Sequence, residues 1–208
     1  MKNKRIWIIL LMGWMISLAP AAEEELNTDH MAPQEMLKAR LDKVLLVLQQ
    51  KDTDPNQKAV RIEHIVTPMF DFQIMAKLTL RSHWNEMTED QQKQFTGLFI
   101  QRLRESYRAK LVLYSNEKVV YQDPISKGKT VTVPTELVSK ERKVAVIYRF
   151  RQLDKVWKIF DVEIEGVSLI RSYISQFNDI IQKNGIEGLL EELKRPEPKE
   201  SASETPSN

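Results

Sequence analysis

Cysteine is absent from the 208 residues. No disulfide can brace the fold, and no thiolate is available as a nucleophile or a metal ligand. Glycine occurs six times, too sparsely for a phosphate-cradling loop. His30, His64 and His83 are the three histidines, and no two stand at a metal-binding spacing, so no metal is expected. The chain has no basic block of the kind a nucleic-acid surface needs, so no nucleic-acid partner is expected either. The longest apolar run, Ile6 to Leu18, falls short of the roughly 20 residues that span a bilayer.

That run instead has signal-peptide length. Lys2, Lys4 and Arg5 precede it, and Ala19-Pro20-Ala21 follows with a small-x-small pattern. Residues 1–21 are therefore expected to be a signal peptide, cleaved near Ala21, with export across a membrane. Its loss removes three basic residues and no acidic one, leaving 28 against 29, so the mature chain is close to neutral. Residues 22–32 read as a flexible polar N-terminus and 195–208, rich in Pro, Ser and Glu, as a disordered tail. One domain over 33–194 remains, large enough for a single core.

Helices come first within that domain. Pro33 stands where a helix can start, and Leu37, Leu41, Val44, Leu45 and Leu48 follow at helical spacing. Asp52 to Asn56 stops that helix and starts another, running through Val60, Ile62 and Ile65 to Pro68. Thr88 and Gln91 have capping-box spacing and open a long helix with Phe95, Phe99, Leu103, Tyr107 and Leu111 on one stripe. If it continues unbroken to Ser115, it spans about 40 Å, so a bend is expected.

From Lys118 the apolar period changes to two. Four strands are predicted, over Lys118 to Gln122, Thr130 to Leu137, Lys143 to Arg151 and Val156 to Ile164, joined by short turns as an antiparallel meander. In the last strand Phe160, Val162 and Ile164 alternate with Asp161, Glu163 and Glu165, which predicts one buried and one wet face. Gly166 permits an unusual turn, Ser168 can cap the next helix, and Ile170, Ile174, Phe177 and Ile181 share one face of it. Asn184-Gly185 ends that helix, with a further turn or two over Glu187 to Leu193. The class is α+β, a single domain with a curved four-stranded antiparallel sheet wrapped by helices.

Reactive constellations are scarce. Ser168 follows Gly166, but Ile170 occupies the position where a nucleophile elbow needs a second glycine, so the serine reads as a helix cap. Gly185-Ile186-Glu187-Gly188 has the bare GxxG spacing of an RNA clamp, and helix termination explains it better. Asp161 with Tyr148 is the one acid–base pair worth weighing, and its neighbours Glu163 and Glu165 suggest a solvated carboxylate. No enzymatic activity is expected.

Two long patterns carry a resemblance. One runs through Phe70-Asp71-Phe72, Met75-Ala76, Leu78, Trp84, Thr88, Gln91 and the aromatic stripe that follows. The other runs through Trp157, Asp161-Val162, Glu165-Gly166-Val167-Ser168-Leu169, Tyr173, Gln176-Phe177 and Gly185 to Leu189. Together they resemble the MlaC family, also known as toluene-tolerance auxiliary proteins, over about Pro33 to Lys194. Arg81 departs from the glycine common there among relatives, and Ile174 from a common basic residue. The resemblance implies a nuclear-transport-factor-like cone with an apolar cavity, and a monomeric periplasmic carrier with phospholipid as cargo and no cofactor. It further implies exchange with an inner-membrane MCE-domain ABC transporter complex and an outer-membrane lipoprotein–porin complex, which maintains outer-membrane lipid asymmetry.

Such a cavity needs apolar walls. The expected lipid-binding residues are Phe99, Leu103, Tyr107 and Leu111 from the long helix, Tyr148, Phe150, Phe160 and Val162 from the sheet, and Ile170 and Ile174 from the last helix. Two other readings fit the residues alone: a solid-core envelope adaptor without lipid, and a small cone-fold enzyme using Asp161.

Overall fold

The computed structural model describes residues 31–50, 52–111, 118–140 and 142–196, with the side chains of 107–111 left out. The expected signal peptide and most of the tail lie outside these residues, as does the side chain of Tyr114. Helices α1 (Pro33–Leu48), α2 (Pro55–Val66), α3 (Phe72–Leu80) and α4 (Glu89–Leu111) come first. A sheet of β1 (Lys118–Tyr121), β2 (Ile125–Lys127), β3 (Thr130–Val138), β4 (Lys143–Leu153), β5 (Val156–Ile164) and β6 (Val167–Ser168) follows, and α5 (Leu169–Lys194) closes the chain. The strands are antiparallel in the order β1-β3-β4-β5-β6, with β2 beside β3.

The four expected strands are the principal ones, and the two short additions come from turns. Residues predicted as the turn before Lys129 instead pair back on Thr130 to Thr132, with Gly128 in the left-handed region at the bend. Glu165 and Gly166, at φ 48° and 83°, form a two-residue hairpin turn that brings Val167-Ser168 alongside β5. Ser168 then accepts a hydrogen bond from the Arg171 N–H (3.2 Å) as the N-cap of α5. The capping box before α4 forms as expected, with Thr88 N–H donating to Gln91 Oε1 (2.8 Å) and Gln91 N–H to Thr88 Oγ1 (3.2 Å). Helix α4 runs for 23 residues to Leu111, and the stretch from there to Ser115 lies outside the described residues.

Two aspartates tie helices to the sheet in the same way. Asp71 caps α3 by accepting the Ile74 N–H (3.1 Å), its own N–H donates to the Ile159 carbonyl (2.9 Å), and Arg151 on β4 lies 3.4 Å from its other oxygen. Asp161 accepts the Ile170 N–H (3.2 Å) and the Ser168 hydroxyl (2.8 Å), with Arg149 on β4 at 3.5 Å. The expectation of a wet face at Asp161 is therefore wrong: the residue is 7% exposed. A buried carboxylate is tolerable here because N–H, hydroxyl and guanidinium donors replace its water. Ile164, expected inside, is 38% exposed at the strand's end.

Apolar side chains gather in three groups. One lies among α3, α4 and α5, centred on Phe95, Phe99, Tyr173 and Phe177, whose rings meet edge to face or stacked at 5.1 to 6.2 Å. A second joins α1 to the sheet through Met36, Leu37, Val133, Phe150 and Ile159, and a third joins α1 to α2. Arg102 of α4 is buried and donates to the carbonyls of Glu192 (3.1 Å) and Arg195 (2.8 Å), so its charge meets the negative end of α5.

Gly185, at φ 71° and ψ −176°, breaks α5 where the sequence expects a stop, and a second helical segment follows directly over the expected further turns. The kink folds Asn184 over the next turn, so a Cβ on Gly188 would lie 2.3 Å from the Asn184 Cβ. Gly188→Ala is expected to destabilise the protein by about 1–3 kcal/mol through that overlap. Gly97→Ala, on open helix surface with nothing within 4 Å, should stabilise it by about 0.5–1 kcal/mol. Urea midpoints of the two variants check both signs.

Candidate functional site

The inner face of the sheet is built in rungs. Val131, Phe150 and Ile159 form one, and Val133, Tyr148 and Val162 the next. Side chains on alternate residues share a face, so these point one way while Arg149, Asp161 and Glu163 point the other. Val133, Phe150 and Ile159 are fully buried beneath α1, whereas Tyr148 and Val162 are only half-buried. Among the described residues, α4 packs chiefly on α2, α3 and α5. The helical core and the sheet core are separate clusters, and Phe70 packs against both.

Tyr148 is the informative residue on that rung. Burial pushes its phenol up to about 12, yet part of its side chain remains accessible. Tyr121 of β1, on the rung beyond, has a buried hydroxyl with no hydrogen-bond partner. Its phenol is pushed upward too, first by burial and then by the charges of Asp42 and Tyr148.

The ten residues expected as a lipid wall are divided among several places. Tyr148 and Val162 lie on the inner sheet face with part of their surface accessible. Phe150 is sealed in the sheet core, and Phe99 and Leu103 in the helical core, while Ile170 joins the helical core and also borders the depression beside Phe160. Phe160 does not share a face with Val162: a bulge opposite Arg149 and Phe150 inserts it as an extra residue. It opens instead on the charged side, into a depression of about 360 Å³ with Leu78, Arg149 and Asp161. Ile174 borders a neighbouring depression of about 530 Å³ beside Arg81 and Arg171. Tyr107 and Leu111 fall among the side chains outside the described residues.

The acid–base pair does not assemble. Tyr148 pairs with Val162, so it points away from Asp161, whose two oxygens are engaged in holding α5. Among the described residues no cluster of three potential metal ligands occurs. Sequence reading overlooked Tyr121, although its period-two relation to Val119 placed it on one face of a strand.

Comparison with known proteins points in one direction. A sequence model of the MlaC protein family matches residues 38–195. The intermembrane phospholipid transport system binding protein MlaC of Haemophilus influenzae is 20% identical over 174 residues, covering 79% of this chain and 81% of its own. Toluene tolerance protein ttg2D of Pseudomonas putida is 24% identical over 183 residues, 85% of each chain. The solved structure of a phospholipid-binding protein from Ralstonia solanacearum, in complex with a phospholipid, superposes with a TM-score of 0.70 at 27% identity. The match covers 77% of this chain and 94% of that one.

Two outcomes follow from this geometry. Asp161→Ala should cost about 2–4 kcal/mol, because it strips a helix start and leaves Arg149 with one carboxylate fewer, and unfolding by urea measures it. Tyr148 keeps its proton in the folded state above the ordinary phenol value of 10.0. Its contribution is therefore complete below about pH 10 and is lost as pH rises toward about 12. Tyr148→Phe should flatten that part of the stability–pH curve, measured by thermal melts between pH 9 and 12.

Proposed function

The chain belongs to the MlaC family, and on that premise we propose that it is an exported phospholipid carrier of the periplasm. On this reading the acyl tails lie on the inner sheet face, against Tyr148 and Val162. The observation that carries this reading is the half-covered rung of Tyr148 and Val162, in a fold matching that of a protein solved with phospholipid.

The physics of the cargo suits such a site. Each buried methylene contributes about 0.8 kcal/mol, so two long chains supply roughly 20 kcal/mol before any cost of binding. That approaches the ceiling of non-covalent affinity, so the protein needs little from the headgroup. Release is then the difficult step, and it requires partners that favour an open state. An inner-membrane MCE-domain ABC transporter complex and an outer-membrane lipoprotein–porin complex would serve as those partners, and shuttling between them would maintain lipid asymmetry. Residues 1–21 would direct the export. The engagement of both Asp161 oxygens in fold-holding bonds argues against the enzymatic alternative.

Mass spectrometry of lipid extracted from the purified mature protein should find about one phospholipid per chain. Protein that is consistently empty after expression in a Gram-negative host overturns the reading in favour of a lipid-free adaptor. Val162→Glu, which places a charge at the half-covered rung, should leave a folded protein that retains less than a tenth of the wild-type lipid. Phe99→Asp should unfold the protein instead, since Phe99 is 0% exposed within the aromatic core.

A further inference from the structure

A hydroxyl buried without a partner costs about 1–3 kcal/mol, so its presence in an otherwise satisfied sheet calls for a ligand. The Tyr121 hydroxyl is such a group. Tyr121 pairs with Thr135 on β3, and Thr135 pairs with Val146 on β4, two residues before Tyr148. The two tyrosines therefore stand on the same sheet face in adjacent rungs, with β3 between them. They lie close enough that a charge on Tyr148 disfavours one on Tyr121. Both pack against the apolar sheet core, beside Trp157 and Val162. Two neutral phenols in such surroundings present O–H donors, and uncharged acceptors suit them, because a further anion would lose its water and face the Asp42 carboxylate that already acts on Tyr121.

We propose that Tyr121 and Tyr148 form a donor pair for the ester carbonyls of a glycerolipid, recognising the backbone that joins the tails and leaving the headgroup unread. The inference rests on the carrier reading and deepens it by naming the cargo class as ester-linked diacyl lipid. A hopanoid or another sterol-like lipid lacks the paired carbonyls and would leave Tyr121 as unsatisfied as it is in the empty protein. Chain length and unsaturation change nothing at this pair, while replacing the ester linkages removes its acceptors.

The test compares two lipids of the same headgroup and chain length, a diacyl phosphatidylethanolamine and its dialkyl-ether analogue, in competition for delipidated protein against a fluorescent phospholipid. Wild-type protein should prefer the diester by about 10- to 30-fold, as two neutral hydrogen bonds allow. Tyr121→Phe and Tyr148→Phe should each cut that preference by about three- to tenfold. Tyr121→Phe should also raise the melting temperature of the empty protein, because it removes the unpartnered hydroxyl. Equal binding of ester and ether by wild type, or a ratio unmoved in the phenylalanine variants, overturns this inference alone. Binding of neither lipid overturns the carrier reading and this one with it.

Discussion

The fold depends on a pair of arginines two residues apart on one strand. Arg149 and Arg151 point from the same face of β4, and each holds an aspartate that begins a helix. Through Asp71 the sheet fixes the start of α3, and through Asp161 it fixes the start of α5. Each carboxylate meets both a helix's free N–H groups and a guanidinium, so a charge that would resist burial becomes an anchor. With both helices fixed at one edge, the far side of the sheet is free to serve another purpose.

That far side holds the candidate interior. A filled protein core is packed as densely as an organic crystal, and side chains in it have no residual access. The rung of Tyr148 and Val162 departs from that rule while the rung beside it obeys it. Val133 of the same rung is fully buried beneath α1, so the residual access is confined to the members on β4 and β5. Apolar surface left accessible there is what hydrocarbon prefers.

Local rules in the sequence were enough for most of the elements. The capping box at Thr88, the Ser168 cap, the period-two strands and the turn at Gly166 each depend on residues within a few positions of one another, and each is found where expected. The failures are long-range. Nothing near Phe160 announces the bulge, because a bulge is a relation between two strands and its partner lies at Arg149 and Phe150. That one inserted residue turned the side expected for Phe160. The burial of Asp161 likewise depends on Ser168, Ile170 and Arg149, which parity along a single strand does not see. Degree of burial is likewise invisible to pattern, since Phe99 in a sealed core and Val162 on a half-covered rung are both simply apolar.

The buried guanidinium of Arg102 has a mechanical consequence. It spans from the middle of α4 to the last carbonyls of α5. Replacing it with an apolar residue would leave those carbonyls without their charged donor. The guanidinium therefore clasps the two helices together near the C-terminal end of α5.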